Sequence, residues 1–136
     1  MMKTDKELEA SKKQLSKLKE LYETQLAELK GKGLSEAQAK DSLSSSWTYA
    51  MQCQEEIDLY EKLKRGELPP VEEFSTRGKY FVAARIARGM TQRELAERLG
   101  TKESAVSRDE RNEYHGISMD KMDRLAAVLN LKVLVC

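Results

Sequence analysis

The chain has 136 residues, of which 40% are hydrophobic and 35% charged. That balance excludes a disordered chain, and no apolar run approaches the roughly 20 residues of a membrane-spanning helix; no signal peptide opens the sequence and no membrane partner is expected. Lys and Arg number 24 against 23 Asp and Glu, and the net charge of +1, taken alone, argues against a nucleic-acid partner. The only thiols are Cys53 and Cys136, and the only imidazole is His115. These exclude a disulfide framework and a zinc site of the usual Cys/His type, so neither metal nor cofactor is expected, and a reducing cytoplasm is the expected compartment. No acid/base pair or ligand cluster marks an enzyme.

The first half reads as two long helices. Thr4-Asp5-Lys6-Glu7 has the form of a capping box. Beyond it Leu8, Leu15, Tyr22 and Leu29 recur every seven residues, and Leu18, Leu21 and Leu26 widen the stripe. Gly31 and Gly33 supply the stop. A second box, Ser35-Glu36-Ala37-Gln38, opens the next helix. Trp47, Ala50, Cys53, Ile57 and Tyr60 follow at spacings of three and four, one face of a helix. Asp58 and Lys62 stand at i,i+4 in the favourable order. The run Ser44-Ser45-Ser46 weakens the middle of this helix and predicts a kink or break near 42–46, because serine hydroxyls compete for the backbone. Gly66 ends it.

Two readings of these stripes stand open. One is the core of a helical hairpin. The other is a coiled-coil-like oligomerisation surface carried by Leu8, Leu15, Leu18, Tyr22, Leu29, Trp47, Ile57 and Tyr60. Two helices alone cannot bury both stripes, and a homodimer forming a four-helix arrangement would. The expected organisation is a helical arm over 1–66, a linker over 67–76 marked by Pro69-Pro70, and a second module over 77–136.

Charge divides at that linker. Residues 1–76 carry 12 Lys and Arg against 15 Asp and Glu, a balance of −3; residues 77–136 carry 12 against 8, a balance of +4. Eight of those latter twelve are arginines, whose planar forks suit phosphate and guanine. Short, closely punctuated helices are predicted here. They run over 79–88, stopped by Gly89, and over 92–99, opened by the box Thr91-Gln92-Arg93-Glu94 and stopped by Gly100. Two more run over 103–111 and, after a loop at 112–117, over 119–129 behind Ser118. Leu95, Ala96, Leu99, Val106, Met122, Leu125, Ala126 and Leu129 are the expected core. Helices 92–99 and 103–111, joined by a three-residue turn, have the spacing of a helix-turn-helix. Ala96 permits close approach, Gly100 can take positive φ in the turn, and Val106 plugs the crossing.

Residues 77–131 resemble the Xre/Cro–cI class of helix-turn-helix transcriptional regulators. The likeness rests on Arg85-Ile-Ala-Arg-Gly-Met-Thr-Gln-Arg-Glu-Leu-Ala-Glu-Arg-Leu-Gly100, Ser104-Ala-Val-Ser107 and Asp120-Lys-Met-Asp-Arg-Leu-Ala-Ala-Val-Leu129. It implies a lambda-repressor-like domain there; with the helical hairpin read from the first half, which the likeness does not cover, the chain is expected to be all-α. The segment 131–136 is expected as a short strand or a packed tail. The resemblance further implies that Glu103, Ser104, Ser107 and Arg108 read base edges in the major groove. Gln92, Arg93, Lys102 and Arg111 are implied at phosphates, and Arg85 with Glu110 as a buried structural ion pair. Tyr114 and His115, in the loop, are further candidates for phosphate.

Several positions depart from the family pattern. Thr101 replaces an aliphatic turn residue, Lys102 a capping Ser or Thr, Glu103 the frequent Gln, and Asp109 an apolar residue. The expected function is a sequence-specific regulator, a repressor that reads a pseudopalindromic operator on double-stranded DNA as a homodimer. The alternative is an antitoxin or adaptor whose N-terminal helices bind a partner protein such as a toxin, with DNA binding serving autoregulation.

Overall fold

Hydroxyls open most of the helices, and residues in the left-handed region follow most of their ends. The computed structural model describes residues 1–132 and contains, among them, seven α-helices and no strand. The strand expected over 131–136 falls largely on 133–136, outside the described residues; Leu131 and Lys132 are irregular. In chain order the helices are α1 (Asp5–Gly31), α2 (Glu36–Ser42), α3 (Ser44–Lys64), α4 (Arg77–Ala87), α5 (Gln92–Leu99), α6 (Glu103–Arg111) and α7 (Met119–Val128). A 3-10 turn, Val71–Glu73, follows the two prolines. The chain divides into two compact units, one comprising Thr4–Leu59 with Met2, the other Tyr60–Cys136 with Met1 and Lys3.

In the first unit the Thr4 hydroxyl accepts from the Glu7 amide to cap α1. Ser35 and Gln38 form the full reciprocal box at α2, with bonds of 3.2 and 2.9 Å. The second long helix is interrupted at Leu43, within the serine-rich stretch, so α2 and α3 are separate helices. The Ser42 hydroxyl donates to the Gln38 carbonyl, the back-bonding that weakens serine inside helices. The return chain runs antiparallel to α1. Tyr22 meets Trp47 with ring centroids 5.3 Å apart, Gln14 donates to the Tyr49 hydroxyl, and Cys53 lies against the Ser11 carbonyl. Leu8, Leu15, Leu26, Ala39, Ala50 and Ile57 are buried. Leu18, Tyr22, Leu29 and Cys53 are half-buried, and burial pushes the Cys53 thiol above its ordinary range, with the Glu56 charge adding to it. Leu21, Trp47 and Tyr49 are about half exposed, at 53%, 47% and 52%. Asp58 accepts from Gln54 rather than pairing with Lys62, as exposed i,i+4 partners hold each other only weakly.

In the second unit α4 begins two residues earlier than the sequence pattern suggests, at Arg77, because the Thr76 hydroxyl caps the Lys79 amide. Thr91 and Ser118 cap α5 and α7 in the same way, through the amides of Glu94 and Lys121. Tyr60, Leu63, Phe81, Val82, Ile86 and Met90 are buried, as are Leu95, Val106, Leu125 and Leu129. Each fully buried aliphatic chain contributes about 1.5–3 kcal/mol through water exclusion. Leu99 and Met122, expected in the core, are only half-buried: both lie on the packed face, but Leu99 is the last residue of α5 and Met122 is in the first turn of α7.

Candidate nucleic-acid interface

The crossing of α5 and α6 builds the site. Gly100 takes φ 68°, ψ 33°, a left-handed geometry that costs a side-chain-bearing residue about 1–2 kcal/mol. With it the Thr101 amide bonds back to the Ala96 carbonyl at 2.9 Å and the Gly100 amide to Glu97 at 3.2 Å, the Schellman closure. The chain reverses within three residues and α6 leaves across α5. Ala96 and Val106 meet the core there, each 2% exposed.

Behind the crossing lies a buried charge cluster. Arg85 on α4 faces Glu110 on α6 in two parallel bonds, Nε to Oε2 at 2.7 Å and Nη2 to Oε1 at 3.0 Å. Nη1 donates to the Met90 carbonyl at 2.8 Å. The Glu110 side chain is fully buried and that of Arg85 is 3% exposed. Gln92, at the first position of α5, donates from Nε2 to Glu110 Oε1 at 2.8 Å. Three donors therefore satisfy one buried carboxylate. Among the described residues no buried side-chain polar atom lacks a partner. This cluster ties α4, α5 and α6 together and fixes the roll of α6. Gln92 is nearly buried, so what its amide offers outward is the second N–H and the carbonyl.

The outer side of α6 is polar and open. Lys102, Glu103, Ser104, Arg108 and Arg111 are exposed and Ser107 is half-exposed. Gly100, Thr101, Lys102, Ser104, Ala105 and Arg108 line an open depression along the turn and the first turns of α6. Glu103, Lys102, Arg108 and Arg111 have no ion-pair partner among the described residues. Arg93 is exposed and makes a loose i,i+4 pair with Glu97 at 3.5 Å. Arg88, by contrast, donates from Nε to the Leu129 carbonyl and caps the end of α7. Asp109, the apolar position of the family pattern, is used: it pairs with Lys121 and ties α6 to α7.

The loop after α6 is held by a contact invisible in the sequence. Gly78 on α4 is buried, and a Cβ there would fall 1.9 Å from the Glu113 carbonyl oxygen. Glu113 and Tyr114 both take positive φ, at 53° and 54°. The Thr76 hydroxyl donates to Glu113 Oε2 at 3.2 Å, and Lys79 lies 3.7 Å from Oε1. Tyr114 packs its ring edge-on against Phe81, with centroids 5.9 Å apart. Burial, and then the nearby Glu110 charge, push its phenol well above its ordinary range. Tyr114 is 6% exposed and thus serves the core, which leaves His115 as the exposed side chain of the pair.

The family model described as Helix-turn-helix matches residues 82–135. No curated protein and no solved structure matches the chain significantly. No helix among the described residues is long and apolar enough to cross a membrane. The matched span contains the capped α5, the Gly100 turn, the open face of α6 and the α7 that supports it. This module is a helix-turn-helix domain of the Xre/cI type, a DNA-binding regulatory domain rather than an enzymatic one.

Proposed function

We propose that the chain is a sequence-specific repressor that acts by occupying an operator, with no chemistry performed. The observation that carries this reading is the outer face of α6, where Glu103, Ser104 and Arg108 stand exposed while the opposite face is locked by Arg85, Glu110 and Gln92. A recognition helix needs this combination: free donors and acceptors outward, a fixed roll inward. Ser107 completes the base-reading set. Gln92, Arg93, Lys102 and Arg111 flank it as phosphate contacts, which set register rather than sequence.

A single module of this kind binds weakly, and two joined copies read half-sites about 34 Å apart. Residues 1–66 act as the dimerising arm and 67–76 as the linker. The exposed Leu21, Trp47 and Tyr49 support this role, because large apolar groups left in water favour a partner. Leu8, Leu15, Ile57 and Tyr60 are buried within the protomer and contribute to an interface only by holding the helices that present it.

The test is binding of the full chain to the duplex upstream of its own gene and to random duplex, titrated across salt. A repressor prefers its own region, with log K falling linearly as log salt rises. Equal and salt-insensitive binding, or none at low salt, overturns the proposal.

A further inference from the structure

We infer that the operator half-site is read through G·C base pairs, with Arg108 taking a guanine and Glu103 the amino group of a cytosine about two base pairs away. The inference rests on the DNA-binding reading above and names the bases that reading leaves open.

It follows from which side chains on α6 are free. Of the acidic groups on this helix, Glu110 is buried under three donors and Asp109 is held by Lys121. Glu103 alone is exposed and unpaired among the described residues. A carboxylate only accepts hydrogen bonds, so in the major groove its partner is an amino group. Beside an isolated adenine the neighbouring N7 repels it, whereas cytosine N4 presents a donor alone. Position also favours the acid. Glu103 is the first residue of α6, where the helix dipole stabilises a negative charge that the phosphates would otherwise repel.

Arg108 is the complementary case. It is exposed and unpaired among the described residues, and its fork matches guanine O6 and N7 in the bidentate pairing that is the commonest specific contact. Adenine is read best by Asn or Gln, and α6 from Glu103 to Arg111 contains neither. The nearest amides are unsuited: Gln92 spends one N–H on Glu110 and is assigned above to a phosphate, and Asn112 lies at the C-cap beyond the base-reading residues. Ser104 and Ser107 accept any base and do not restore a preference for A·T. Glu103 and Arg108 are five residues apart on the helix, about 7.5 Å along its axis, which spans about two base-pair steps of 3.4 Å.

The experiment is selection of bound duplexes from a randomised pool by the full-length chain, followed by sequencing, for the wild type, Arg108→Ala and Glu103→Gln. Both side chains are exposed, so thermal melting of the variants should match the wild type and separates lost folding from lost reading. The expected wild-type motif has a guanine and a cytosine about two positions apart in each half-site. Arg108→Ala should lower affinity for that motif about 5- to 150-fold and erase the guanine preference. Glu103→Gln should exchange the cytosine for adenine and leave the guanine in place. A wild-type motif built on A·T pairs, or a motif unmoved by Glu103→Gln, overturns this inference and leaves sequence-specific binding standing. Binding with no enriched motif overturns the sequence-specific reading itself.

Discussion

Glu110 is the residue on which the site depends most. A buried carboxylate is costly unless it is fully partnered, and here Arg85 and Gln92 supply three bonds. Glu110→Ala strands the Arg85 charge in the core and should cost about 3–5 kcal/mol in urea denaturation. Replacing both partners, Arg85→Met with Glu110→Leu, should recover most of that loss, since no buried charge is left alone. Equal losses in the single and double variants would show that the pair itself holds the fold. Gly78 gives a second prediction. In an ordinary helix Gly→Ala gains about 1 kcal/mol. At Gly78 the added methyl meets the Glu113 backbone, which cannot swing aside as a side chain could. Gly78→Ala should therefore destabilise by about 3 kcal/mol, lowering the melting temperature by roughly 10 °C or more. Little in the sequence marked this position: a glycine two residues into a helix reads as a weak helix former, and the need for it comes from a loop 35 positions away.

At the scale of elements the local signals were largely legible. Thr4, Ser35, Thr91 and Ser118 stand where helices begin, and each hydroxyl makes its capping bond. Such bonds form within four residues, so sequence spacing determines them. Thr76 gives no helix start in the apolar pattern, because Arg77 and Gly78 break the spacing that announces a helix, yet α4 includes both. Helix α6, like α3, which follows Leu43, departs from hydroxyl capping. Its N-cap is Lys102, with extended backbone and no side-chain bond to the helix amides. Lys102→Ser should supply that bond and stabilise by about 1 kcal/mol. The same change removes a cation proposed to meet a phosphate, so DNA affinity should fall and the slope of log K against log salt should shrink by about one. Stability and binding moving in opposite directions would separate a phosphate contact from a structural residue; a rise in both would exclude Lys102 from the interface.

For the whole molecule the total charge of +1 misleads, because it averages a −3 arm and a +4 module. An acidic first half lowers non-specific attraction to DNA, so the proposed specific contacts and the proposed dimer would carry more of the affinity. The proposed dimer is testable without deleting the arm, which would also remove the buried Tyr60 and Leu63 from the other unit. Leu21 is 53% exposed, so Leu21→Asp should leave the helices folded and halve the mass seen in sedimentation. A variant that stays dimeric places the interface elsewhere, and a monomeric wild type removes the dimer altogether.

The sequence by itself determined the all-α class, the boundaries of most helices and the helix-turn-helix, because caps, stops and apolar spacing act over a few residues. It could not decide between the two readings of the N-terminal stripes. Leu8 and Leu15 share a heptad with Tyr22, and Ile57 a face with Trp47, yet their burial differs. Burial depends on what another helix places opposite, and spacing along one helix carries no record of that. Tertiary structure likewise decided that Gln92 serves Glu110, that Arg88 caps α7 and that Tyr114 joins the core. These contacts join residues 18 or more positions apart, where only the folded chain brings donor to acceptor and ring to ring.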